Sequence, residues 1–278
     1  MNRKVFRELV WNYYRRHGRD LPWRPPTLPL RRDKILDPYR ILVSEVMLQQ
    51  TQVSRVIPKY VLFLKRFPGT RLLARASLRD VLRAWQGLGY NRRALFLHRV
   101  ARTVIEKYKG KIPEDAEVLK TLPGIGEGTA GAIGAFAFNK PTIFIETNIR
   151  RVFLHFFFTN RKKVRDEEIL FLIEKTLDQK SPREWYWALM DYGAILGKEA
   201  ENPNRRSAHY AKQSPFRGSE RELRGKILRF ISARKWVSIR SIARACLEPI
   251  NRVEEMVKEL RKEGFVTAKK GEVWILTK

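Results

Sequence analysis

Apolar residues recur along most of this chain at intervals of three and four, and few stretches alternate residue by residue. Val5, Leu9 and Tyr13, with Phe6 and Val10, fall at i, i+4 spacing with arginines between, which predicts an amphipathic helix over residues 1–18. Leu21 to Pro38 holds five prolines and many charges and reads as a loop. A helix is predicted from Asp37-Pro38 to about Gln52, with Pro38 suited to the first turn. Further helices are predicted near 58–66, 77–85, 90–108, 115–121, 127–138, 147–157, 165–178 and 182–195, punctuated by Gly and Pro. Gly197 to Arg217 is polar and reads as a linker or exposed loop. Beyond it, 219–232, 238–246 and 250–263 are helical in pattern. Phe265–Ala268 and Glu272–Leu276, separated by Lys269-Lys270-Gly271, read as a β-hairpin. The chain is therefore mainly α, without internal repeats, and three helices followed by a hairpin suggest a winged-helix-like module at residues 217–278.

Composition narrows the partner. The chain has 278 residues, enough for one large domain or two to three smaller ones. It carries 57 Lys+Arg against 29 Asp+Glu, a net charge of +28. Such an excess goes beyond what solubility needs and points to a polyanion: nucleic acid or an anionic membrane surface. A generally basic host proteome is the bland alternative. The 62 residues from Arg217 hold 16 Lys/Arg and 8 Asp/Glu, so a DNA-contacting module fits them, and a protein–protein wedge is the competing reading. No apolar run approaches the roughly twenty residues of a membrane span. The start, Met1-Asn2-Arg3-Lys4, is unlike a signal peptide. The single cysteine, Cys246, leaves no partner for an intramolecular disulfide. The expectation is an intracellular protein, cytoplasmic and nucleoid-associated in a prokaryote.

The segment richest in chemistry is Leu122-Pro123-Gly124-Ile125-Gly126, which runs through Gly128 into Thr129-Ala130-Gly131-Ala132. Glycines between two helical stretches let backbone N–H groups approach an anion where the second helix begins. In so basic a chain that anion is read as a DNA phosphate. Glu45, in Ile41-Leu42-Val43-Ser44-Glu45-Val46-Met47-Leu48, shares a helix face with Ile41, Leu42 and Leu48. Desolvation there raises a carboxyl pKa and makes a general acid, unless Glu45 is a structural glutamate paired with Arg24 or Arg40. Gln49-Gln50-Thr51-Gln52 is a polar run able to reach base edges, and Gly87-Leu88-Gly89-Tyr90 is a tight turn carrying an aromatic wedge. Glu146 follows Ile143-Phe144-Ile145 and precedes Thr147, read as a helix N-cap. A carboxylate there is favoured in its charged form, although Glu146 is also readable as a helix-start residue and no more. One carboxyl poised to be protonated and one to stay ionised is the division of labour that N-glycosidic cleavage needs.

From about residue 20 to 195 the chain resembles the helix-hairpin-helix DNA glycosylase superfamily, most closely the adenine-mismatch glycosylases. The resemblance rests on Leu21-Pro22-Trp23-Arg24, Asp37-Pro38-Tyr39-Arg40, Ser44 through Val53, Trp85 through Tyr90, the 122–130 hairpin, Glu146 through Val152, and Ala188 through Gly193, in that order. It implies a two-domain helix-hairpin-helix glycosylase fold. An N-terminal helix and loop (1–34) would pack with a second helical lobe (140–200) carrying the catalytic acid. A helical domain (35–139) would contain the hairpin (114–138), and a linker (201–216) would lead to the C-terminal module. By the same resemblance Glu45 protonates the leaving adenine and helps position water. Glu146 takes the place of the transition-state aspartate, Asn148 accompanies it, and Trp23 and Arg24 lie at the substrate pocket. Gln49, Gln50 and Tyr90 sit in the opened duplex. Leu122, Gly124, Ile125, Gly126, Gly128 and Thr129 form the phosphate clamp, with a K+ or Na+ ion at the 122–126 hairpin.

The chain departs from the family pattern in four ways. Glutamate replaces aspartate at 146, and one methylene displaces the carboxylate by roughly 1 Å, enough to cost about 100-fold in rate unless the backbone compensates. The four cysteines of the relatives' iron–sulfur cluster are missing, so no cluster is expected and no other cofactor. Bifunctional relatives carry a lysine nucleophile where this chain has Gly128, which predicts a glycosylase without lyase activity. The relatives' C-terminal domain for 8-oxoguanine resembles a nucleotide hydrolase, unlike the module here. The combined expectation is a monomeric, monofunctional glycosylase acting on double-stranded DNA, excising adenine opposite G or 8-oxoG. Thymine or uracil mismatch excision, and a non-catalytic DNA-binding role, are the alternatives.

Overall fold

The computed structural model describes residues 1–25, 34–198, 201–212, 214–269 and 271–276. Residues 26–33 of the expected proline-rich loop, 199–200 and 213 of the expected linker, and 270 of the expected hairpin turn lie outside them. The described helices are α1 (Arg3–His17), α2 (Pro38–Leu48), α3 (Val53–Arg66), α4 (Thr70–Arg75), α5 (Leu78–Trp85), α6 (Arg92–Tyr108), α7 (Ala116–Lys120), α8 (Glu127–Phe138), α9 (Thr147–Phe157), α10 (Asp166–Thr176), α11 (Pro182–Leu196), α12 (Glu220–Ser232), α13 (Ile239–Cys246) and α14 (Ile250–Glu263). Three strands, β1 (Val237–Ser238), β2 (Val266–Lys269) and β3 (Glu272–Ile275), and a 3-10 turn at Pro203–Arg206 complete them. The fold is mainly α, as the periodicity predicts.

Chain contacts gather into two compact units. The first comprises Met1–Glu45, Pro113–Thr121 and Ile125–Gln213; the second comprises Val46–Ile112, Leu122–Gly124 and Ser214–Lys278. This grouping divides the stretch expected as one 35–139 domain, and it joins the C-terminal module to Val46–Ile112. The stretch expected as a linker contains the Pro203–Arg206 turn, and Ser207 bridges in parallel to Val164.

In the first unit α11 is the central element, with Trp185, Tyr186, Trp187, Ala188 and Leu189 all buried and with α9 and α1 packed against it. The apolar stripe of α1 supplies Phe6, Val10 and Tyr14. The Phe6 ring meets those of Phe153 at 5.3 Å, Phe157 at 5.0 Å and Trp185 at 6.0 Å. Phe6, Phe153 and Trp185 are fully buried, and aromatics in such tilted and edge-on pairs supply both apolar area and directional contact. Arg183, also buried, donates to the carbonyls of Phe136 (2.7 Å) and Ala137 (3.0 Å), so a cation meets the negative end of α8.

In the second unit α3, α5 and α6 enclose Phe63 and Trp85, whose rings meet edge-on at 5.9 Å. The chain differs here from its expected pattern. α2 ends at Leu48 and not near Gln52, because Gln50 adopts a left-handed φ of 51° that no helix continues. α3 begins at Val53, five residues earlier than expected. Its Pro58 forfeits one helical hydrogen bond, while burial of Val56, Tyr60 and Phe63 holds the helix together. The six-residue α4 went unpredicted, being too short to show a period. In the C-terminal module the expected helices and hairpin are present, and β1 adds a third strand, giving the antiparallel order β1-β3-β2 with Val237 opposite Val273. α12 of this module packs on α5.

Candidate active site

The turn between α7 and α8 needs its glycines for different reasons. Gly124 has φ of 75°, and a Cβ there would collide with the Phe96 side chain of α6. Gly126 is exposed and serves as N-cap of α8, so the first amides of that helix have no capping side chain above them. Leu122 and Ile125 are buried, so these two anchor the turn by packing and offer only their backbone outward. Gly128 and Thr129 lie in the first turn of α8 and are half-buried. A Cβ at Gly128 would meet the Ile145 carbonyl oxygen at 3.4 Å, an ordinary contact.

Two carboxyls interact in the first unit. Glu45 stands on α2 beside Ile41, Leu42 and Val43, each at most 2 % exposed. The residue keeps some open surface, yet its carboxyl is deep enough that desolvation, then the nearby Glu146, push its pKa up to about 8, against a small opposing effect from Arg24. Glu146 itself, not Thr147, is the N-cap of α9. Its Oε1 accepts from the backbone N–H of Asn148 and of Ile149, both at 2.8 Å, and its Oε2 accepts from Asn148 Nδ2 at 3.2 Å. Burial raises the Glu146 pKa, opposed by those two amide bonds and by Arg151 and Arg150. The upward direction differs from the expectation drawn from the helix terminus alone, because desolvation outweighs the cap. When the pair holds a single proton, hydrogen bonding decides where it resides. Three N–H donors aim at Glu146, so the proton belongs on Glu45.

Asn148 is itself oriented. Arg151 Nη1 donates to Asn148 Oδ1 at 2.9 Å and to the Gly193 carbonyl at 2.6 Å, and Arg151 Nε reaches Asn202 Oδ1 at 3.2 Å. Asn204, buried, donates through Nδ2 to the Thr147 carbonyl at 3.1 Å. Gly193 permits this approach, since a Cβ there would collide with the Asn148 backbone oxygen, and a Cβ at Gly197 would collide with the Arg151 guanidinium. In the segment after Gly193, where the family resemblance implies an iron–sulfur cluster, Asn202 accepts from Arg151 and Asn204 donates to the Thr147 carbonyl, so both asparagines meet α9. One cysteine in the whole sequence and this polar packing do not fit a cluster. Among the described residues, no group of three or more His, Cys, Asp or Glu side chains could hold a metal ion.

Of the two residues expected at the substrate pocket, Trp23 is 8 % exposed and Arg24 is 7 % exposed. Arg24 makes a bidentate pair with Asp191 (2.8 and 2.9 Å), which Arg19 also approaches at 2.7 Å. The Arg24 guanidinium lies over the Trp187 ring at 5.2 Å. Arg40 pairs with Asp37 at 3.7 Å. Among the described residues neither arginine bonds the Glu45 carboxyl, and Arg24 acts on it only through its charge.

The second unit holds the other expected contacts. Gln49 is half-buried, Gln50 is exposed, and Tyr90 is 37 % exposed with a left-handed φ of 47°. Two non-glycine residues in that conformation are costly unless something over-determines them. Arg93 does so. Buried at 8 %, it donates through Nη1 to the carbonyls of Val46 (2.9 Å), Met47 (2.7 Å) and Gln49 (2.6 Å). Its Nη2 reaches Thr51 Oγ1 at 2.9 Å and the Gly89 carbonyl at 3.3 Å. One guanidinium caps α2 and ties the Gln49–Thr51 bend to the Gly89–Tyr90 turn, with the Tyr90 ring 5.3 Å away. Burial lowers its pKa to about 10, which leaves it charged. Sequence reasoning passed over Arg93; a basic residue three places after a Gly-Leu-Gly-Tyr turn was the available signal.

The chain is similar to several known proteins. The model of the HhH-GPD superfamily base excision DNA repair protein matches residues 43–178. The chain is 37 % identical over 202 residues to an adenine DNA glycosylase of Buchnera aphidicola subsp. Baizongia pistaciae, covering 70 % of this chain and 54 % of that protein. It is 44 % identical over 144 residues to an adenine DNA glycosylase of Mycobacterium tuberculosis, covering 52 % of this chain and 44 % of that one. The chain thus spans about half the length of the curated relatives it matches. Among solved structures, a thermostable thymine-DNA glycosylase matches with a TM-score of 0.60 at 25 % identity, covering 72 % of this chain and 90 % of that one.

Proposed function

We propose that this chain, which the HhH-GPD superfamily model matches over residues 43–178, is a monofunctional DNA glycosylase of that superfamily that hydrolyses the N-glycosidic bond of adenine mispaired with G or 8-oxoG. The observation that carries the reading is the coupled carboxyl pair, in which Glu45 has a pKa of about 8 and Glu146 is held by three N–H donors.

Protonated Glu45 gives its proton to a ring nitrogen of the flipped adenine. The C1′–N9 bond breaks, and its electron pair leaves with the neutral base. Glu146, ionised and kept in place by Asn148 and Ile149, stabilises the oxocarbenium-like sugar. Water adds at C1′ and passes its proton to the Glu45 carboxylate, which restores the acid. Gly128 provides no amine for a Schiff base, so the product is an intact strand with an abasic site. Double-stranded DNA is the partner that a charge of +28 and the open amides at Gly126 suit, with Gln49, Gln50 and Tyr90 inside the opened duplex. Backbone carbonyls of the 122–126 turn are the donors that would hold a K+ or Na+ ion, which would add positive charge beside the phosphate. No helix of the described residues is long and apolar enough to cross a membrane.

The test is single-turnover excision on duplexes carrying A·8-oxoG, A·G, T·G and U·G, developed with and without alkali. Adenine release visible only after alkali supports substrate and chemistry together. Release of thymine favours the second reading, which the match to the thymine-DNA glycosylase motivates. No excision from any duplex despite tight binding would overturn the enzyme assignment.

A further inference from the structure

The C-terminal module is fastened to the helices that carry the Tyr90 turn. Glu263, at the end of α14, accepts Arg92 Nη2 at 2.7 Å and Arg224 Nη1 at 2.7 Å, and its backbone carbonyl accepts Arg99 Nη2 at 3.0 Å. The two guanidiniums on its carboxylate pull its pKa down to about 2, so the anchor stays charged across the working pH range. Gln86 Nε2 bonds Ser232 Oγ at 3.2 Å, and Arg79 Nη2 bonds the Lys235 carbonyl at 2.9 Å. The module is thus held at α5 and α6 by several bonds and is not a loosely tethered appendage.

One of its side chains reaches the turn itself. Arg221, on the first turn of α12, donates through Nη1 to the Tyr90 hydroxyl at 3.2 Å, while its Nη2 is fixed by Ser214 Oγ (3.1 Å) and the Ser214 carbonyl (2.8 Å). Around the same turn, Arg55 bonds the Gly87 carbonyl, and the Lys59 ammonium lies 3.5 Å from where a Gly87 Cβ would stand. Among the described residues, Arg55, Lys59 and Arg221 make no ion pair, whereas Arg92 and Arg224 are matched by Glu263. Unmatched cations therefore gather on the Tyr90 side, and matched ones serve the anchor.

We infer that the C-terminal module is part of the DNA-binding surface and that Arg221 contacts a phosphate of the duplex beside Tyr90. The inference rests on the reading of Tyr90 as the residue that enters the duplex. A guanidinium held by Ser214 and bonded to that hydroxyl stands beside the strand that Tyr90 enters, where phosphate is the densest acceptor. The charge that the module brings, 16 Lys/Arg against 8 Asp/Glu from Arg217 onward, suits the same partner.

The test measures Kd of full-length wild type, Arg221→Gln and Arg221→Lys, from 50 to 300 mM salt. The ligand is a duplex containing a tetrahydrofuran abasic-site analogue. The glutamine variant is expected to bind roughly tenfold more weakly, with the slope of log K against log salt shallower by about one. The lysine variant should keep the wild-type slope. Arg221→Met, of similar length without charge, replaces the glutamine variant if that one folds poorly. An unchanged slope, unchanged affinity or tighter binding by the neutral variants overturns the inference, the last by making Arg221 a restraint on Tyr90. If wild type neither binds the duplex nor releases a base, it is the glycosylase reading that fails.

Discussion

Arg151 donates to Asn148 Oδ1 at 2.9 Å, and this bond fixes which way the asparagine amide faces: its Nδ2 turns to Glu146 Oε2 at 3.2 Å. The guanidinium never touches the Glu146 carboxylate by hydrogen bond, yet it sets the third donor on that group. Arg151→Ala should lower the single-turnover rate by about 100-fold, since misplacement near 1 Å carries that cost. Affinity for an abasic-site duplex should change little. Equal losses in rate and affinity would show that Arg151 serves DNA binding instead.

Glu45→Gln should abolish excision and leave DNA binding intact. In the wild type the rate should fall as pH rises through about 8, where Glu45 loses its proton. Stability moves with it. The folded-state pKa lies above the ordinary carboxyl value, so the protonated form is the one folding favours, and stability falls as pH rises from about 4.5 towards 8. The glutamine variant lacks that loss, so its Tm should exceed that of wild type by a margin that grows over this range. A margin constant with pH would contradict the burial of Glu45 as a neutral acid.

Glu146→Gln tests charge against shape. The amide oxygen can still cap α9, but its nitrogen would face Asn148 Nδ2, donor against donor. The rate should drop by at least about 100-fold, with helix α9 retained by circular dichroism. Near-normal excision would remove Glu146 from the chemistry.

Asn204→Ala removes the bond to the Thr147 carbonyl in the segment where the family resemblance implies a cluster. Unfolding free energy should fall by about 1–2 kcal/mol, and the excision rate should fall with it, while Asn204→Gln recovers neither. An active and equally stable alanine variant would show that the segment merely covers α9.

Asp191→Asn leaves Arg24 and Arg19 facing a neutral group, with the Arg24 side chain only 4 % exposed. Breaking a buried pair in this way costs about 3–5 kcal/mol. Denaturant unfolding reads it directly, and a loss under about 1 kcal/mol would show that the Arg24–Asp191 pair does not hold this part of the fold together.

The sequence alone determined the helices with a clear apolar period, the Pro/Gly hairpin, the place of Glu45 on an inward face and the absence of a four-cysteine set. These are local properties: spacing, glycine where φ must be positive, residue type. Other features needed partners remote in sequence. Whether Glu45 paired with Arg24 depended on Asp191, 167 residues from Arg24, which takes that guanidinium instead. The direction of the Glu146 pKa depended on burial outweighing its own helix cap. The 201–216 stretch reads as linker because it is polar, yet its asparagines bond to α9. Arg93 shows no apolar or metal-ligand signature, and its part as a clasp exists only once four carbonyls converge on it. Short-range pattern fixes which groups are present and on which face they lie, whereas desolvation and hydrogen-bond pairing are properties of the packed interior and are decided there.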